Sequence, residues 1–255
     1  PGMVLYFTKW FPSHKRGQVM ALFMSAIPVS GLIGGPLSGW MLSHFSAGQG
    51  GMDGWQWLFL LQGVPTVVLG VAVLFYLNDG LAQAGWLSNE EKTAMQDALD
   101  HDERQRAAGT HAVHSFGQVL RDWHVWMLGF IYFSIQMGVY AINFWLPSII
   151  KSLGFEDATT VGWLSAIPYL FAGVFMVLVG RSADRRRERR WHLTGPLLMA
   201  LVGLLLAANF SDNAVIVLAG LSLATMGALT GLPMFWPLPA AFLGIAAAAA
   251  GLALI

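Results

Sequence analysis

Long apolar stretches without a single Asp, Glu, Lys or Arg alternate with short polar gaps along most of the chain: roughly Gln18 to Leu42, Trp55 to Leu77, Trp123 to Ile150, Val161 to Val179, Leu193 to Ala208 and Ala214 to about Leu232. A hydrocarbon core about 30 Å thick takes roughly 20 helical residues to cross, whereas a barrel strand needs only about ten strictly alternating ones. Alternation of that kind does not recur here, so the pattern predicts membrane-spanning helices. Pro1 to Trp10 reads as the last turns of one more helix, and Leu238 to Ile255 as the start or the whole of another. Between the second and third spans lies one long polar region, Asn78 to Asp122. Ser88 followed by Glu91 has the spacing of a capping box, in which hydroxyl and carboxylate satisfy free amides at a helix start. A helix from Asn89 to about Gln105 is expected, and its narrow apolar stripe of Met95, Ala98 and Leu99 suits a loosely docked linker helix.

Composition settles the class. Of 255 residues, 56% are hydrophobic and 11% charged, against about 25% charged in soluble domains. Fourteen bases balance fourteen acids, which gives no electrostatic footprint for nucleic acid. The absence of cysteine removes disulfides and thiolate sites. The chain opens on Pro1 and Gly2 without a basic leader and closes on Leu254 and Ile255 inside an apolar run. It reads as an internal fragment of a longer membrane protein, with a naturally short homologue as the alternative.

The distribution of charge orients the spans. The stretch GRSADRRRERRWH, Gly180 to His192, holds six of the fourteen Lys and Arg residues, and short basic loops stay on the cytoplasmic side. Threading outward and inward from it puts thirteen of the fourteen bases on that side, with Lys151 the exception. The expectation is a multi-pass protein of the inner (plasma) membrane, with basic loops and linker in the cytoplasm.

Three groups of residues are candidates for function. Gly31, Gly35 and Gly39 recur every four residues and present one smooth helical face, with Pro28 and Pro36 as potential kinks. Small residues at this spacing let a second helix approach closely; the face is either a tight helix pair or a seam between two halves that slide. GIAAAAAG, Gly244 to Gly251, fits a matching seam helix. Tyr132, Gln136, Tyr140 and Asn143 follow at i, i+4, i+8 and i+11 on one face of the third span, beside Gly138 and below Trp145 and Pro147. Polar groups facing lipid are costly, so this stripe either bonds another helix or lines a water-filled cavity. Ser222 and Thr225 are weaker candidates for the same space, because lone hydroxyls in helices often bond their own backbone. Last, Gly180, Asp184, Arg185 and Arg189 form a small hinge followed by a mixed-charge cluster. His101, His111 and His114 lack the paired carboxylates of a metal site and read as solvated linker histidines. No metal or cofactor is expected, and spans free of acid, base and metal ligands argue against an enzyme.

Several strings, PGMVLYFTKWFP, AIPVSGLIGGPLSGW, GWQWLFLLQGVP, WLSNEEK, GVYAINFWLPSIIKSLG and ADRRRERRWH, resemble the major facilitator superfamily of secondary transporters. The resemblance is to its anion:cation symporter branch, which includes bacterial permeases for tartrate, phthalate, nicotinate and related organic acids. It implies an all-α, two-bundle helical transporter, of which this chain covers about the end of helix 4 to helix 11. Residues 1–77 would be the remainder of the N-terminal bundle, 78–122 the cytoplasmic linker and 123–255 the C-terminal bundle. GRSADRRR is similar to the second copy of the superfamily signature GxxxDRxGRR, matched at Gly180, Asp184 and Arg185, with Arg187 in place of its second Gly. The family's charged substrate and coupling residues lie mostly in helices 1 and 4, upstream of Pro1.

The implied activity is secondary active transport of a small organic anion by alternating access, as proton- or cation-coupled symport. A non-transporting membrane receptor or scaffold of the same fold is the alternative. The implied partners are the anion, the coupling ion and the lipid bilayer, with no nucleic acid and a monomeric state. In this frame Gln136, Tyr140 and Asn143 line the substrate path together with Tyr132. Gly31, Gly35, Pro36 and Gly39 form the seam. Asp184, paired with Arg185 or Arg189, either closes an inner gate or is an exposed cluster that marks topology alone.

Overall fold

A computed structural model of the chain describes residues 2–45, 49–108, 122–186, 188–236 and 238. The described regular elements are helices: α1 (Gly2–Trp10), α2 (Ser13–Met24), α3 (Ala26–His44), α4 (Gly54–Tyr76), α5 (Asn89–Ala108), α6 (Trp123–Ser152), α7 (Ala158–Arg186), α8 (Arg190–Asn209) and α9 (Ala214–Phe235), with 3₁₀ turns at Gln49–Gly51 and Leu81–Gln83. Among the described residues, six stretches are long and apolar enough to span a bilayer: Leu22–His44, Gly54–Tyr76, Trp123–Ser152, Ala158–Arg186, Arg190–Asn209 and Ala214–Phe235. They coincide with the six apolar runs of the sequence.

Two boundaries differ from the hydropathy reading. The first run is not one helix from Gln18, because α2 and α3 part at Ser25. Pro28 has no N–H for the carbonyl of Met24 and its ring crowds that carbonyl, so the break falls one turn upstream of it. The second difference concerns Gly180. It is not a hinge in a loop: α7 continues through it to Arg186. The left-handed glycines among the described residues are Gly50, Gly51 and Gly154. Ala, Arg and Ser all accept helical geometry, and arginines in a last turn complement the negative end of the helix dipole.

The chain gathers into two compact units. One takes in residues 1–23, 76–133 and 235–255, the other 24–75 and 134–234. In the first, Trp10, Leu81 and Ala84 form a buried cluster against which Tyr6, Phe11, Leu87, Met95 and Leu99 pack. Trp10 and Trp86 stack with centroids 5.9 Å apart and planes within 7°. The linker helix α5 thus meets α1 in a small contact, with Met95 and Leu99 packed against the Trp10 cluster. Its start carries the expected capping box: the Glu91 amide donates to Ser88 Oγ at 3.2 Å and the Ser88 amide to Glu91 Oε2 at 2.9 Å. These bonds hold the Glu91 carboxyl below the usual carboxylate range.

In the second unit, α9 is the most enclosed span and α4 the least, with no buried residue along α4. α6 buries Ile135, Val139, Ile142, Leu146 and Ile150, the one-face periodicity of a packed helix. Large apolar side chains such as Leu74, Phe75 and Phe144 stay outside, as they do where the surrounding solvent is hydrocarbon. Gln62 Nε2 donates to Ser38 Oγ at 2.9 Å and ties α4 to α3.

Candidate functional site

Among the described residues α3 makes an extensive contact with α7, and the glycine face makes it possible. A Cβ on Gly35 would lie 2.8 Å from the carbonyl oxygen of Gly162. One on Gly39 would run into the Ala158 carbonyl, and one on Gly162 into that of Gly35 and to within 3.2 Å of Pro36 Cα. One turn further, a Cβ on Gly31 would be 2.5 Å from Cγ and Cδ1 of the Tyr169 ring. Residues 39, 35 and 31 thus descend as 158, 162 and 169 ascend, so the helices are antiparallel and backbone meets backbone. At one end Thr159 Oγ1 donates to Ser43 Oγ at 3.0 Å. Gly34, beside Gly35, has nothing within 4 Å of its notional Cβ. The partner of this face is the 158–169 segment of α7; Gly244 to Gly251, proposed as a matching seam, lies outside the described residues.

The polar stripe on α6 runs beside that helix's buried face. Tyr132 stacks on Phe235 with centroids 5.1 Å apart and meets Trp236 edge-on at 5.2 Å. Gln136 is half-buried, while Tyr140 and Asn143 are exposed, Tyr140 stacked on Phe144 at 5.9 Å. Asn143 Oδ1 accepts a hydrogen bond from the Tyr169 hydroxyl of α7. A Cβ on Gly138 would lie 3.9 Å from Ala228 Cβ of α9. Ser222 and Thr225 donate to the carbonyls of Leu218 and Leu221, both at 2.7 Å; both hydroxyls bond their own helix and do not extend the stripe.

At the α7–α8 junction Arg189 Nη2 donates to Asp184 Oδ1 at 3.0 Å. Arg185 takes no part in that pair. It lines an open depression of about 340 Å³ with Leu178, Arg181, Ser182 and Arg186. A second set of contacts bridges the same corner: His192 Nδ1 lies 2.8 Å from Glu188 Oε2, and His192 Nε2 lies 3.0 Å from Ser182 Oγ. The Trp191 amide donates to Glu188 Oε1 at 2.8 Å, and this bond, with a smaller contribution from His192, holds the Glu188 carboxyl below the ordinary carboxylate range. Arg187 lies outside the described residues.

The sequence reading missed several of these residues. Gly162 had a readable signal, since Gly162 and Ala166 repeat the four-residue spacing of the α3 face, whereas Tyr169 falls outside that series. On α8 and α9, Gly203 and Gly220 likewise bring backbones into contact: a Cβ on Gly220 would sit 2.7 Å from the Gly203 carbonyl oxygen. The Ser182–His192–Glu188 set carries no spacing signature because it forms across a helix break. Among the described residues no three His, Asp or Glu side chains gather as a metal site; His101 is exposed, and His111 and His114 lie outside those residues.

The Major Facilitator Superfamily profile matches residues 1–255. The chain belongs to the Major Facilitator Superfamily. It is 41% identical over 254 residues to the "Putative metabolite transport protein NicT" of Pseudomonas putida, covering 100% of this chain and 57% of that protein. A "Putative tartrate transporter" of Agrobacterium vitis is 40% identical over 255 residues, 100% of this chain and 57% of its own length. The "Inner membrane transport protein RhmT" of Escherichia coli is 34% identical over 256 residues, 100% of this chain and 58% of its own length. The chain therefore spans a little over half the length of these relatives. All three names are those of transporters, not enzymes, and the described residues form helices that include six apolar spans.

Proposed function

We propose that the chain forms the working part of a secondary transporter for a small organic anion, a carboxylate or sugar acid. Support comes from superfamily membership, from relatives named for transport, and above all from the stripe on α6. Among the described residues Gln136 and Tyr140 make no hydrogen bond and the Asn143 amide N–H groups donate none, while the Asn143 oxygen is occupied. Hydrogen-bonding groups in that condition on a membrane helix are suited to face water or a polar solute. Donors without a fixed charge match an anion whose countercharge is supplied elsewhere in the path.

In this reading residues 1–77 belong to the first bundle, 78–122 to a cytoplasmic linker and 123–255 to the second bundle, all in the inner membrane with basic helix ends inward. Transport is symport with a proton or another cation, by alternating access of a monomer. The α3–α7 contact then joins the two bundles, and its glycine face lets them pivot without side chains interlocking. The Asp184–Arg189 pair biases the inward end toward closure. An exposed pair is worth about 0–1 kcal/mol, which shifts a two-state balance up to about fivefold, at the low end of coupling energies.

The test is uptake of radiolabelled tartrate and nicotinate by proteoliposomes holding the complete gene product and its Asn143→Ala and Tyr140→Phe variants. Loss of a hydrogen bond to a charged group costs about 1.5–3 kcal/mol, so either substitution raises KM roughly tenfold or more. Wild-type KM and Vmax in both variants would remove these residues from the path. Binding without flux in the unmodified protein would point to a receptor of the same fold.

A further inference from the structure

We infer that Tyr169 is a positioning residue that carries the state of the α3–α7 seam to the substrate path, setting which atoms of Asn143 face the anion. The inference rests on the reading of Asn143 as a substrate contact. Tyr169 is buried at 8% exposure on a membrane span, where a hydroxyl needs a partner. Its hydroxyl finds one on a different helix, Asn143 Oδ1 of α6. Its ring lies in the notch over Gly31, where a Cβ would come within 2.5 Å of Cγ and Cδ1 and 2.7 Å of Cε1. One side chain therefore touches three elements: α3 by its ring, α6 by its hydroxyl, and α7 by its backbone.

The notch ties Tyr169 to the register of α3. The residues that share the face of Gly31 on α3 stand three or four positions away, Pro28 on one side and Gly35 on the other, so a shift of α3 along α7 that carries Pro28 to the ring forces it to turn. The hydroxyl then leaves Asn143. An amide can present either two N–H donors or a carbonyl acceptor. With its oxygen held by Tyr169, Asn143 offers only donors, which suits a carboxylate. Once released, the amide rotates freely, and half of its orientations turn an acceptor oxygen toward the anion. The seated seam is thus the state of high anion affinity and the displaced seam the state of low affinity, as a carrier needs if it is to bind on one side and release on the other.

The test uses the complete gene product in proteoliposomes with radiolabelled tartrate. Tyr169→Phe keeps the ring and removes the hydroxyl; KM rises about fivefold, the equivalent of one ordinary hydrogen bond, while Vmax stays within about twofold. Gly31→Ala raises KM as well. Combined with Tyr169→Phe it adds nothing to KM, and Tyr169→Phe has no effect on KM in an Asn143→Ala background. A wild-type KM for Tyr169→Phe, or additive effects in either pair, overturns the positioning role.

Thermal unfolding in detergent supplies the arm that needs no substrate. Gly31→Ala lowers Tm, and Tyr169→Ala, which empties the notch, cancels that loss; without cancellation the ring-in-notch link is wrong whatever the uptake result. If cancellation is seen but the unmodified protein takes up neither tartrate nor nicotinate, the transport reading fails and the positioning role falls with it.

Discussion

The seam offers the sharpest single prediction, because two adjacent glycines on α3 differ only in what faces them. A methyl group at Gly35 would sit 2.8 Å from the Gly162 carbonyl oxygen, short of the 3.4 Å at which ordinary contact begins. The obstacle is backbone, so no rotamer change relieves it and the helices must part by about 0.6 Å over a close-packed contact. Overpacking of this kind costs about 1–3 kcal/mol. At Gly34 nothing lies within 4 Å, and both substitutions share the gain of roughly 1 kcal/mol that Ala brings over Gly inside a helix. Gly34→Ala is therefore neutral or slightly stabilising, and Gly35→Ala falls below it by the steric cost alone. At about 2–4 °C per kcal/mol for a chain of this size, the two melting temperatures should differ by roughly 2–12 °C. The assay is intrinsic tryptophan fluorescence on heating in detergent, with matched lipid and detergent content. Equal melting temperatures for the two variants would refute the backbone contact, and with it the close approach of α3 to α7.

Two further predictions concern the polar ends of the helices. Asp184→Asn breaks the pair with Arg189 and should slow uptake up to about fivefold while leaving membrane insertion intact; unchanged uptake at equal expression would confine the cluster to a topological role. For α5, the Glu91 carboxyl is held below its ordinary value of 4.5 by the Ser88 amide and hydroxyl, so the ionised form stabilises the helix. That contribution is complete above the ordinary value and is lost as pH falls through the lowered one. A peptide of residues 86–108 should lose helical circular dichroism over that range, and Ser88→Ala should weaken the helix and shrink the pH response; an identical titration in the variant would count against the capping box.

The spans were readable because each is a charge-free run of the length a bilayer demands, and that signal does not depend on tertiary context. The capping box was readable for a similar reason, since all its partners lie within four residues. The glycine face on α3 was half readable: the spacing announces a close neighbour, but the neighbour's identity depends on how distant segments pack. Tyr169 shows what periodicity misses. Its role comes from two contacts with other helices, Gly31 and Asn143, and nothing in the local run YLFAG distinguishes it from an interfacial tyrosine. The continuation of α7 through Gly180 was hidden by charge, because the basic residues that mark a cytoplasmic boundary are also good helix formers.

Counterflow tests the central claim most directly. Proteoliposomes containing the complete gene product are loaded with unlabelled tartrate or nicotinate and diluted into a trace of the same labelled acid. A carrier that alternates between two faces accumulates label transiently above the external level before it decays. The account predicts that overshoot for the unmodified protein and a much reduced one for Asn143→Ala. Label that only equilibrates, or fails to enter above the level of empty liposomes, would contradict transport of these acids by alternating access.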